Sequence, residues 1–309
     1  VAFQLSWQDS EGKRSDQTLP LTFRRYRGLL GWHTLDDPHK GAREFAVLRW
    51  LGENRFPAPL ALAHGEDEGG LYLLMGTVSG RNWWLPFGAV DFNAVLPPIV
   101  RQQVDLLARL HGLDPAPLRD ETAHVPAVTV ASILDTCREW ALESSDRPVL
   151  DAVDRVGALL EGLEEQPARL VNMDASVRNL LVDAPTGKNV AAWLDWEDAA
   201  LGDPRWAIIG LAADLRAAYQ MDALAEQAIA WYEQKRVTRV EKVRPWTALY
   251  AVLRWTQCIW LQVQIKRGRK VEFPGWERFI GAQDSHRAWA MQTLDEAEAD
   301  EAGANMKNV

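Results

Sequence analysis

Residues 170–210, LVNMDASVRNLLVDAPTGKNVAAWLDWEDAALGDPRWAIIG, constrain the fold more than any other part of the chain. An apolar run delivers Asp174 into a short loop, and Asn179 follows five residues later. A strand-like run over 180–182 leads through a Pro-Thr-Gly-Lys turn at 185–188 to a second apolar strand over 190–194, which ends on Asp195. Two strands joined by a short turn form a hairpin whose outer ends face the same way. Two carboxylates and a carboxamide at those ends can converge on one point, a geometry suited to holding magnesium beside a hydroxyl.

Phosphoryl transfer asks a protein for positioning and charge neutralisation more than for covalent chemistry. One Asp must orient the attacking hydroxyl and accept its proton; a second Asp and an Asn supply the hard oxygen ligands that Mg²⁺ prefers. Asp174, Asn179 and Asp195 stand in that order. The fuller pattern is Asn172-Met173-Asp174 with Asn179, then Leu194-Asp195-Trp196-Glu197-Asp198, then Gly202-Asp203-Pro204. It resembles the aminoglycoside phosphotransferase family, the small-molecule branch of the protein-kinase-like fold. The resemblance implies an α+β, two-lobed fold: a small antiparallel β-sheet lobe with one helix over residues 1–78, and a larger, mainly helical lobe over 79–309. It also implies ATP and Mg²⁺ as cofactors, Asp174 as the catalytic residue, and Asn179 and Asp195 as metal ligands.

The same resemblance assigns roles in the first half of the chain. Residues 3–8 and 19–27 read as two strands around a polar turn at 9–16. The strand over 21–25 takes the place where kinases carry a phosphate-binding Lys; here the candidate is Arg24, with Arg25 on the opposite face. Arg carries the same charge, although its planar fork binds phosphate differently. A helix over 42–52 follows, with Phe45, Leu48 and Leu51 on one side. Its Glu44 matches the pairing Glu of the family, against the simpler reading that it complements the helix dipole. Strands at 60–64 and 71–75 lead into Gly76-Thr77-Val78, where backbone groups are expected to bond a purine. Trp83 and Trp84 could stack on a ligand, but packing is the commoner fate of such a pair. No glycine-rich phosphate loop is legible, so that loop and its first strand are expected to lie before Val1 or to be absent.

Composition sets the outer bounds. A chain of 309 residues with 25% charged and 47% apolar residues describes an ordinary globular protein able to bury a large core. Fifteen tryptophans are expected mostly to pack in that core or to line a binding cleft. The net charge of −9 argues against non-specific binding to nucleic acid or anionic membranes, and it is compatible with a cationic small-molecule substrate. Two distant cysteines, Cys137 and Cys258, make neither a disulfide framework nor a metal cluster. With no apolar run of membrane length and no signal peptide, a cytoplasmic location is expected.

Helices are expected over 95–113, 132–142, 149–163, 205–219, 223–236, 245–267 and 276–298, with an acidic tail at 295–309 that frays. His111, at the end of the first of these, reads as structural. Three departures from the family pattern stand out: Asn172-Met173 in place of His-Gly, Ala207 in place of an Asp, and Arg24 in place of Lys. Glu197 and Asp198 read either as supports for the metal ligands or as contacts to a cationic substrate, the former preferred. The expected activity is O-phosphorylation of a small hydroxyl compound such as an aminoglycoside or a choline-like amino alcohol. The alternatives are a pseudokinase that binds a nucleotide or a partner without turnover, and an unrelated helical binding protein.

Overall fold

The computed structural model describes residues 2–8, 14–26, 37–83, 91–183, 188–269 and 276–307. Strands β1 (Ala2–Gln8) and β2 (Arg14–Arg25) pair antiparallel, and helix α1 (Lys40–Glu53) follows. Strands β3 (Ala61–Asp67) and β4 (Gly70–Gly76) complete an antiparallel sheet in the order β1-β2-β4-β3. Its register sets Arg24 opposite Leu73 and Thr22 opposite Met75. Directly opposed residues share a face, and Leu73 and Met75 are buried beneath α1, which packs on β3 and β4. Arg24 therefore reaches the α1 side. Arg25, on the other face, pairs with Asp67 through Nη2 at 2.9 Å.

The chain then crosses β5 (Arg81–Asn82) into the larger, helical part: α2 (Phe92–Leu110), α3 (Val130–Ser144) and α4 (Arg147–Leu159). Asp91, Thr129 and Asp146 accept hydrogen bonds from the first-turn amides of these helices, which fixes where each begins. Four short strands follow: β6 (Arg169–Asn172), β7 (Leu180–Val182), β8 (Val190–Trp193) and β9 (Ala199–Gly202). The expected hairpin is β7–β8, joined at one edge by β5. The β6–β9 pair is not legible in the sequence, because each strand is only four residues long, RLVN and AALG, with no alternation to mark it. The turn at 185–187, Gly12 and Trp84 lie outside the described residues.

Helices α5 (Arg205–Tyr219), α6 (Asp222–Arg236) and α7 (Val243–Lys266) fall close to their expected positions. The last expected helix divides into α8 (Trp276–Gly281) and α9 (Gln283–Lys307), so the tail is helical rather than frayed. Its acidic residues are exposed but ion-paired. Arg155 pairs with Asp295 at 2.7 Å and Glu298 at 2.8 Å, and Arg244 pairs with Asp300 at 2.7 Å. Ala290, Leu294 and Ala297 are buried where α9 packs along α7. The charges that suggested disorder are thus one side of an ion-paired, amphipathic helix.

The tryptophans go where composition suggested: Trp50, Trp83, Trp140, Trp193, Trp196, Trp206, Trp246, Trp255 and Trp260 are all buried. Trp83 does not stack on a ligand face; it is enclosed and donates Nε1–H to the Val177 carbonyl at 2.8 Å. His111 is structural, with Nδ1 2.7 Å from the Tyr232 hydroxyl. No helix among the described residues is long and apolar enough to cross a membrane. The architecture is the two-lobed, protein-kinase-like one: a small antiparallel sheet carrying one helix, set on a larger helical body.

Candidate active site

Asn172 closes β6 and is fully buried. Its Nδ2–H donates to the Asp195 carbonyl at 2.9 Å, and its Oδ1 accepts from the Asp174 amide at 2.9 Å. One side chain therefore ties the Asp174 loop to the end of the β7–β8 hairpin. A carboxamide suits this post because it donates and accepts at once. Asn179 makes the next tie. Its Nδ2 donates to the Asp174 carbonyl at 2.9 Å and to Asp174 Oδ2 at 3.3 Å, while its own carbonyl accepts from the Leu194 amide at 2.7 Å.

Asp195 stands with φ +64°, a left-handed conformation that costs a non-glycine residue about 1 kcal/mol or more. The bonds around it hold that conformation: Asn172 grips its carbonyl, and the next amide, Trp196 N–H, donates to Glu44 Oε1 at 3.3 Å. Trp193, Trp196 and Phe56 pack on one another just behind, with ring centroids 5.2–6.5 Å apart. The Trp193 amide also donates to the Pro57 carbonyl at 2.8 Å. The Asp195 backbone is thereby fixed to both parts of the molecule.

Arg24 is the electrostatic hub. Nη1 donates to Glu44 Oε1 at 2.9 Å, Nη2 donates to Asp195 Oδ1 at 2.7 Å, and Nη2 also contacts Glu197. Burial alone disfavours charge on this guanidinium, but the carboxylates of Glu44, Glu197 and Asp195 outweigh it and push its pKa up. Glu44 sits in the second turn of α1, since the helix begins at Lys40, so a helix-dipole role does not describe it. It is almost wholly enclosed and also accepts from the Tyr26 hydroxyl. Burial pushes its carboxyl up to about 7 against the opposing pull of Arg24.

Sequence reasoning missed two basic partners. Lys40 Nζ lies 2.7 Å from Glu197 Oε1, and Arg43 Nε donates to the Glu197 carbonyl at 2.7 Å. Glu197 is thus a bridge between Arg24 and Lys40. The one available signal was the basic pair Lys40 and Arg43 at the start of the helix that carries Glu44. Asp198 is half-buried behind this bridge with its Oδ1 enclosed; desolvation raises its carboxyl to about 7, against the neighbouring Lys40 charge.

The structure brings Arg24, Glu44, Asp174, Asn179 and Asp195 into one connected network. The three backbone groups expected to receive a purine are distinguished by their bonds. Gly76 N–H donates to the Leu60 carbonyl at 2.8 Å and Thr77 N–H to the Pro20 carbonyl at 2.9 Å, whereas the Val78 amide makes no backbone hydrogen bond among the described residues. Asp203 takes no place in the network. It is buried 2.6 Å from Arg205 Nη2 and accepts from the Gln166 amide at 2.8 Å, locking the start of α5 to the segment before β6.

The donor set fits a magnesium ion. Asn179 directs both amide donations to Asp174, so its Oδ1 is the atom open to a cation, and the Asp195 carboxylate is 37% exposed. No group of three His, Cys, Asp or Glu side chains that could hold a metal occurs among the described residues.

Comparison with known proteins agrees with this architecture. The chain is 17% identical to a candidate aminoglycoside phosphotransferase from Ralstonia eutropha JMP134, with TM-score 0.67 over 97% of this chain and 93% of that one. The GDP and kanamycin complex of APH(2″)-IIIa gives 15% identity and TM-score 0.61 over 97% and 95%. A thermostable APH(4)-Ia mutant in ternary complex with AMP-PNP and hygromycin B gives 15% and 0.58 over 95% and 92%. At these identities the likeness shows the fold. No curated protein matches the chain. The profile described as the phosphotransferase enzyme family matches residues 17–246, most of the length, and the chain therefore belongs to the phosphotransferase enzyme family.

Proposed function

We propose that this phosphotransferase uses ATP and magnesium to phosphorylate a hydroxyl of a small molecule, with the lobes meeting between residues 78 and 79. The observation that carries the reading is the single network linking Asp174, Asn179 and Asp195 to the Arg24–Glu44 pair. Asp174 orients the acceptor hydroxyl and takes its proton; Asn179 holds the loop in place by bonding its backbone and carboxylate. A magnesium ion bound by Asn179 Oδ1 and the Asp195 carboxylate would neutralise charge on the phosphates. Arg24, steadied by Glu44, exchanges its bond to Asp195 for the phosphate oxygens. The Val78 amide and neighbouring carbonyls receive the purine.

The retained charges favour an active enzyme over a nucleotide-binding pseudokinase, because Asp174, Asn179 and Asp195 are all kept and are linked to Arg24 and Glu44. The test is thermal stability with ATP and Mg²⁺ on wild type, Asp195→Asn and Asp174→Asn, followed by turnover on a panel of hydroxyl compounds. Ligand binding raises stability by mass action. Wild type and Asp174→Asn should be stabilised while Asp195→Asn is not, and Asp174→Asn should lose about 10²–10⁴-fold in turnover. Stabilisation without any turnover would move the protein to the pseudokinase reading; absence of stabilisation would remove the nucleotide site altogether.

A further inference from the structure

Helices α5 and α7 run side by side in the same direction. Trp206 lies 6.4 Å from Trp246 and 5.5 Å from Tyr250 by ring centroids. One turn on, a Cβ at Gly210 would stand 3.3 Å from the Tyr250 ring, a close approach that glycine permits. One further turn along each helix reaches Asp214 and Arg254, because residues four apart share a helix face.

Asp214 belongs to the surroundings of the catalytic loop. It accepts from the Ser176 hydroxyl at 2.9 Å and lies 3.7 Å from Arg178 Nη2. Its charge is already answered by a hydroxyl and a guanidinium. Arg254 is different. It rests against the rings of Tyr250 and Phe279 at 5.7 and 5.5 Å and donates one bond, at 3.3 Å, to Gln257. A guanidinium has five N–H donors, and no other protein acceptor engages this one among the described residues. Its charged form is favoured by Tyr250 and, against the cost of burial, by the carboxylates of Asp174, Asp214 and Asp198. Asp214, the neighbour of Arg254 across the two helices, bonds Ser176 two residues after Asp174, so Arg254 stands next to the loop that carries Asp174.

Beside the loop that carries Asp174, Arg178 and Asp214 answer one another, and Arg254 is the cation with donors to spare. From this arrangement, and resting on the kinase reading above, we infer that the acceptor hydroxyl compound carries an oxyanion, a carboxylate or a phosphate, which Arg254 binds with Arg178 beside it. Planar guanidinium donors match such groups bidentately. In the reaction the acceptor oxygen forms a bond to the γ-phosphorus as the bond to the bridging oxygen breaks. The hydroxyl proton passes to Asp174 and ADP leaves.

The test uses matched acceptors that differ in charge. One set is glycerate, glycerol 3-phosphate, glycerol and 3-amino-1,2-propanediol; the other is gluconate, sorbitol 6-phosphate, sorbitol and glucamine, with kanamycin as a polycation. ADP formation is measured for wild type, Arg254→Met, Arg254→Lys and the half-exposed Arg178→Gln, which guards against a misfolded core variant. An anionic member should exceed its neutral and ammonium partners by about tenfold or more in kcat/KM, a difference on the scale of one charge-assisted bond. Whether the carboxylate or the phosphate member leads identifies the oxyanion. Arg254→Met should erase the preference, and Arg254→Lys should restore part of it, while stabilisation by ATP and Mg²⁺ stays as in wild type. Preference for neutral, ammonium or polycationic acceptors overturns the inference, as does failure of every anionic member to exceed background ATP hydrolysis. Both results leave the kinase reading standing so long as ATP and Mg²⁺ still stabilise the wild type.

Discussion

The guanidinium of Arg24 donates to Asp195 Oδ1 at 2.7 Å, across a separation of 171 residues. The same group holds Glu44 at 2.9 Å, so one side chain joins the small sheet, its helix and the hairpin end. Arg24 has acidic partners on more than one side, and the nucleotide phosphates would compete for it with Asp195.

Removing that hub leaves buried acid unanswered. Arg24→Met should destabilise the protein by about 3 kcal/mol, since breaking one side of an enclosed ion pair strands the other. Glu44, only 2% exposed at its side chain, is the group that suffers most. Chemical denaturation of the variant measures the loss, and thermal stability with ATP and Mg²⁺ should show no nucleotide response. A stable variant that still responds to ATP would show that Lys40 or Arg43 can replace Arg24.

Asn172 acts through position rather than contact with substrate. Asn172→Ala strips partners from the Asp174 amide and the Asp195 carbonyl at once. A cost of roughly 2 kcal/mol or more is expected for two polar groups left unpaired in a buried setting. Turnover should fall with a larger change in kcat than in KM for ATP. Asn172→His, which can donate or accept at the same place, should recover part of the stability. If Asn172→Ala proves neutral in a denaturant titration, the tie is not what holds Asp195 at its positive φ.

Acid sensitivity should be traceable to His111. Burial, reinforced by the nearby Arg236 and Arg169 charges, lowers its pKa from 6.5 to about 3. The unfolded chain takes up a proton below 6.5, while the native protein refuses it until about 3. The native state is therefore fully favoured above 6.5 and loses ground as pH falls through that window, by at most about 1.4 kcal/mol per pH unit. His111→Gln keeps a polar partner for Tyr232 and removes the titration. The difference in melting temperature between wild type and variant should shift in favour of the variant as pH drops from 6.5 toward 3. Parallel profiles would exclude His111 as a source of the acid response.

Much of this protein is written locally. The apolar runs around Asp174 and Asp195, the polar turn between them and the fixed spacing to Asn179 specify a hairpin whose ends converge, because strand direction and turn length leave little choice. The periodic helices from Arg205 to Lys266 are equally legible. What the local pattern could not hold were relationships between distant charges. Glu197 in sequence is one acid among three; only the fold sets it between Arg24 and Lys40. The acidic run after Asp295 reads as a solvated tail until Arg155 and Arg244 are brought against it. Asn172 looks like a departure from its family until the β6–β9 pairing delivers it beneath Asp195. The physical reason is common to all three: a propensity or a period belongs to a few neighbouring residues, whereas the value of a charge or a carboxamide depends on which partners the packed core places within about 3 Å of it.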